Sequence, residues 1–135
     1  MLRITTIILL AASCVGCSSS YRYIPPTVVG GHLNSAMGVA LSTPPDAQFE
    51  NAVYNRSGAM TADAVRSAFA QHSGNVDIVT NCQGLDCLGR IDVAKFGYYV
   101  QPEILHWEDR ATEWSGKSDR LEIRLTVYDT ASRKQ

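Results

Sequence analysis

The sequence predicts an α/β fold: a small two-layer sandwich, a mixed sheet with helices packed on one face, ending in a β-hairpin. Three observations predict it. LEIRLTVYD, from Leu121 to Asp129, alternates with a period of two. Leu121, Ile123, Leu125 and Val127 fall on one face and Glu122, Arg124, Thr126 and Tyr128 on the other, the pattern of a half-buried strand. TADAVRSAFAQHSG, from Thr61, repeats Ala64, Val65, Ala68 and Phe69 at helical spacing. Short apolar runs alternate with helical stretches along the chain, an order that lays helices on a sheet.

The elements follow from the N-terminus. MLRITTIILLAASCVGCSSS has one basic residue, Arg3, then an apolar run from Ile4 to Ala12, then small residues before a cysteine. This is the layout of a secretory signal, and the run is shorter than the ~20 apolar residues that span a bilayer. It resembles a bacterial lipoprotein signal, in which a cysteine after small residues is lipidated. Gly16 before it and three serines after it favour Cys17; Cys14, after Ala11, Ala12 and Ser13, is the alternative. The expected organisation is therefore a signal peptide over 1–16, a lipidated N-terminus and tether over 17–36, and the α/β domain over 37–135. By the same resemblance, serine after the lipidated cysteine implies the outer membrane, with the domain facing the periplasm.

Pro25-Pro26 and Gly30-Gly31 break any regular element in the tether. MGVALS, Met37 to Ser42, reads as a buried strand stopped by Pro44-Pro45. The helix that follows is expected to be capped by Thr61, with Asp63 in its first turn, and to end at Gly74. His72 suits the dipole at its C-terminus. VDIVT, Val76 to Thr80, is a short strand, and Leu85 to Lys95 a second, weaker helix with Leu88 and Ile91 inward. GYYVQPEILHW, Gly97 to Trp107, is a strand in which Pro102 argues for an edge or a bulge. Ser115 to Asp119 supply turn residues before the last strand.

Cys82 and Cys87 lie in TNCQGLDC. An exported chain lives in an oxidising compartment, so a disulfide is the expected pairing. A metal site needs further ligands, and His32, His72 and His106 are scattered. Redox-active pairs usually have two residues between the cysteines; this pair has four. No cofactor and no metal are expected. The formal net charge is −1, and no basic run argues for nucleic acid.

HWEDRATEW, His106 to Trp114, is the densest polar and aromatic stretch. As chemistry, His106 with Glu108, Asp109 or Glu113 would be a base and its orienter, the basis of an alternative reading as an envelope hydrolase or ligand-processing enzyme. No nucleophile elbow, phosphate-cradling loop or metal-ligand pair accompanies them, so no catalytic residue is assigned. On a strand, His106 and Glu108 share a face and Trp107 and Asp109 the other. Arg110 is placed to pair with Glu108, Asp109 or Glu113. The preferred reading is a structural cluster at the end of a hairpin, braced by Trp107 and Trp114. Its exposed part is a candidate binding surface of His106, Trp107, Glu108, Asp109, Arg110, Glu113 and Trp114.

PEILHWEDRATEWSGKSDRLEIRLTVYD closely resembles the signature stretch of an uncharacterised family of proteobacterial lipoproteins, known as a domain of unknown function. GVALSTPPD, YNRSGAMTADAV and CQGLDC agree with it, and the resemblance covers roughly Met37 to Arg133. It implies location and fold without a reaction. The lipoprotein signal, the disulfide and a polar aromatic surface without a catalytic set give the expected function: a non-enzymatic binding or envelope-assembly module, held to the membrane by its lipid, with another envelope protein as partner. It also implies a further strand after Gln135, so a C-terminally truncated or short form is expected.

Overall fold

A computed structural model describes residues 32–110 and 116–135. The signal peptide, most of the tether, Cys14, Cys17, Glu113 and Trp114 lie outside the described residues. The elements are β1 (Gly38–Ser42), β2 (Ala47–Phe49), β3 (Ala52–Tyr54), α1 (Ser57–Ala70), β4 (Val76–Val79), a 3-10 helix (Gly84–Gly89), β5 (Phe96–Glu108) and β6 (Arg120–Asp129). The main sheet has the order β4-β1-β5-β6. β1 runs parallel to β4 and β5, and β6 closes the sheet antiparallel to β5. The α/β class, the mixed sheet and the closing antiparallel pair are as the sequence predicts.

β1 is buried along its whole length, as its unbroken apolar run requires. Val39 and Leu41 pack with Ala62 and Val65 of α1 and Val100 of β5. Ala40, pointing the other way, packs with Cys87, Leu88, Ile91, Phe96 and Tyr99. The second helical segment therefore covers the face opposite α1, not the same face. Crossover handedness gives the reason. β1 to β4 steps one way across the sheet and β4 to β5 steps back past β1. Two right-handed crossovers in opposite directions must lie on opposite faces. Leu88 and Ile91 are buried as expected, but only Gly84–Gly89 is helical, and as a 3-10 turn. Cys82 and Cys87 form a disulfide, Cα–Cα 5.1 Å, which pins that turn.

α1 begins four residues before the expected cap. Its N-terminus is satisfied from outside the helix: the Asp46 carboxylate accepts from Gly58 N–H at 2.9 Å and Arg56 N–H at 3.0 Å. Those bonds hold the Asp46 carboxyl below its ordinary range. Ser57 Oγ accepts from Ala47 N–H at 2.7 Å. A side chain at position 58 would run into the Pro44 carbonyl, so glycine lets the helix start against that loop. Thr61 is buried inside the helix rather than capping it. Asp63 sits in the second turn in an exposed pair with Arg66 at 3.6 Å, a geometry worth little. The helix ends at Ala70, before Gly74; the N–H groups of Gln71, His72 and Ser73 bond back to Ala68 and Phe69.

Pro102 explains itself in this topology. β1 pairing stops at Leu41 opposite Val100, so from Pro102 onward β5 has lost β1 on that side. The ladder with β6 then shifts register between Ile104 and His106. Proline thus sits where a central strand becomes an edge, next to a bulge.

Candidate functional site

The bulge around Leu105 sets the site, because it fixes which residues beyond it face which way. His106 pairs with Glu122, Trp107 with Leu121 and Glu108 with Arg120. His106 and Glu108 share a face, as the strand period predicts, and His106 Nε2 lies 3.2 Å from Glu108 Oε2. Arg110, just past the strand, reaches back over the same face. Its Nε donates to Glu108 Oε1 at 2.6 Å and its Nη2 to Glu108 Oε2 at 2.7 Å. This is the two-pronged guanidinium–carboxylate fork, the strongest form of the pair.

Arg110 also joins the two arms of the connection. Its backbone N–H donates to Asp119 Oδ1 at 2.8 Å and its Nη1 to the Ser118 carbonyl at 3.2 Å. The side chains of Glu108, His106 and Arg110 are 19%, 24% and 31% exposed, so water screens this cluster less than a fully exposed pair. The Arg110 fork holds the Glu108 carboxyl down to about 2, and Glu108 raises Arg110 in turn. A carboxylate so engaged is a poor proton acceptor near neutral pH. Its role in this geometry is to hold Arg110 and His106 in place.

The sequence reading missed the other half of the site. β2 and β3 form a small antiparallel hairpin whose aromatic residues meet the end of β5. Phe49 sets an edge against the His106 ring, centroids 5.1 Å apart, and Tyr54 lies 6.2 Å from Trp107. Trp107 is half-buried, so its brace is Tyr54; Trp114 lies outside the described residues. The hairpin gives no sequence signal because three-residue strands are too short to show a period. The Pro44-Pro45 stop and the Glu50-Asn51 turn, with Glu50 in the left-handed region at φ 53°, were its only marks. Between the hairpin and the end of β5 lies an open cleft of about 520 Å³, lined by Glu50, Asn51, Tyr54, Glu108 and Asp109 among others. Asp109 is exposed at its rim.

The structure therefore brings together His106, Glu108 and Arg110, sets Trp107 on the opposite face, and leaves Asp109 at the cleft. Glu113 lies outside the described residues. Among the described residues no group of three or more histidine, cysteine or acidic side chains is placed to hold a metal ion. No helix among them is long and apolar enough to cross a membrane.

Residues 32–135 match the model of a family described as a domain of unknown function, DUF4823. No curated protein matches the chain. Among solved structures, the chain is similar to the PelC dodecamer from Paraburkholderia phytofirmans, with a TM-score of 0.56 and 11% identity over 78% of this chain and 69% of that one. At that identity the likeness is one of fold.

Proposed function

The chain belongs to the DUF4823 family, a domain of unknown function, and we propose that it acts as a non-enzymatic binding or envelope-assembly module. In this reading Cys17 carries the lipid, with Cys14 as the alternative, and the domain hangs in the periplasm from the outer membrane. The observation that carries the binding role is the Glu108–Arg110 fork. It fixes a polar ridge of His106, Glu108 and Arg110, of which Glu108 also lines the open cleft. A rigid ridge with Phe49 set against His106 has the aromatic and arginine character favoured where proteins meet. The PelC neighbour, described as a dodecamer, supports reading this fold as a unit of assembly. The partner is another envelope protein, contacted through the ridge and the cleft.

Pull-down from crosslinked envelopes, with Asp109→Lys at the cleft rim as control, tests this. One specific protein recovered with the wild type and lost with the variant is expected; recovery of nothing specific counts against the module. The hydrolase reading draws on the 3.2 Å contact of His106 with Glu108. It predicts that Glu108→Gln abolishes a hydrolytic activity while leaving the fold intact.

A further inference from the structure

β6 is the outer strand of the sheet, and among the described residues no strand pairs with its free side. Thr130 N–H donates to the Gly97 carbonyl at 3.0 Å, and Pro102, which has no N–H, faces Leu125. Bonded and non-bonded pairs alternate in an antiparallel ladder, so the even positions of β6 bond to β5. The backbone groups of Leu121, Ile123, Leu125 and Val127 then point outward, toward an open edge. Such an edge is a template for another strand.

The side chains say which strand fits. Leu121 and Leu125 share one face and are 54% and 45% exposed. Glu122 and Arg124 share the other, and their partners within the chain are loosely held. Arg120 lies 3.7 Å from Glu122, and Arg124 lies 3.6 Å from Glu103, both arginines well exposed.

We propose that β6 pairs antiparallel with β6 of a second copy of this chain, in the register that sets Ile123 against its own counterpart. That register places Leu121 opposite Leu125 twice, and Glu122 opposite Arg124 twice. Ile123 carries outward backbone groups, so it forms a bonded pair. Glu122 and Arg124 then fall in the non-bonded pairs, where facing side chains approach most closely. At its ends this register sets Val127 opposite Asp119, but no other register pairs Leu121 with Leu125, and the neighbouring ones carry conflicts of their own. A dyad at Glu122 or at Arg124 sets like charges against each other. One at Leu125 puts Leu121 opposite Asp129. One at Leu121 puts Ile123 opposite Asp119 and Leu125 opposite Lys117. The interface is isologous and closes at two copies, joining the two sheets into one. It does not depend on the reading of the His106–Arg110 ridge.

Sedimentation equilibrium of the full chain in detergent tests it. The wild type shows a monomer–dimer equilibrium. Glu122→Arg and Arg124→Glu, each setting two like-charge pairs across the dyad, weaken dimerisation by about tenfold or more. The double variant restores it and, carrying both substitutions, is the folding control. An equimolar mixture of the two single variants also restores it, because each supplies the charge the other lacks. A wild type that stays monomeric overturns the proposal. So does a dimer indifferent to the single swaps, or a pair of variants that neither combination rescues.

Discussion

Arg110 grips Glu108 with two hydrogen bonds, Nε to Oε1 at 2.6 Å and Nη2 to Oε2 at 2.7 Å, two residues apart along the chain. The pair holds the Arg110 side chain against Glu108, whose Oε2 also lies 3.2 Å from His106 Nε2.

The fork makes part of the stability depend on pH. Glu108 is depressed from its ordinary 4.5 to about 2 in the folded state, so the folded chain holds this carboxylate ionised where the unfolded chain would protonate it. Its contribution is complete above about 4.5 and is lost as pH falls toward about 2. Asp46 and Asp129 are lowered as well, so the test is a difference. The thermal midpoint of the wild type should exceed that of Glu108→Gln at neutral pH, with the gap closing through that window. A gap constant with pH would contradict it.

Tyr99 is buried, donating to the Gly84 carbonyl at 2.6 Å and lying 2.7 Å from Ser42 Oγ. Tyr99→Phe keeps the ring and removes the oxygen, leaving both partners short of a bond. A loss of about 1–3 kcal/mol in chemical denaturation is expected.

Reducing the Cys82–Cys87 disulfide opens a small loop that pins the 3-10 turn to the sheet. The expected loss is about 2 kcal/mol, read as a shift in denaturation midpoint between oxidised and reduced protein, with Cys82→Ser matching the reduced value.

Trp107 separates bracing from binding. It is half-buried against Tyr54, so Trp107→Ala should cost about 2 kcal/mol, below the ~3–5 kcal/mol of a fully buried large aromatic. An unchanged denaturation midpoint would mean that the ring serves a partner alone.

The legible parts of the fold were those whose signal is local and long. The alternation of Leu121 to Val127 gave β6 its faces, and the apolar run at Val39 to Leu41 gave the central strand. The start of α1 is not legible in its own stretch, because the carboxylate that caps it, Asp46, lies ten residues or more upstream of the N–H groups it binds. The face of the 3-10 turn depends on strand order, which no single stretch encodes. In the site, HWEDR announced itself by composition, and its shared face for His106 and Glu108 followed from the strand period. The bulge at Leu105 and the hairpin that brings Phe49 and Tyr54 are tertiary facts. Two strands of three residues each carry no period to read.

The proposed function requires the ridge and its cleft to be presented to a partner in the envelope. Site-specific photocrosslinking in intact cells tests this most directly, with a photoreactive residue in place of Asn51 on the cleft wall. One discrete adduct with a single envelope protein is expected, lost when Asp109→Lys reverses the charge at the rim. No adduct above background, or one that persists unchanged with Asp109→Lys, would contradict it.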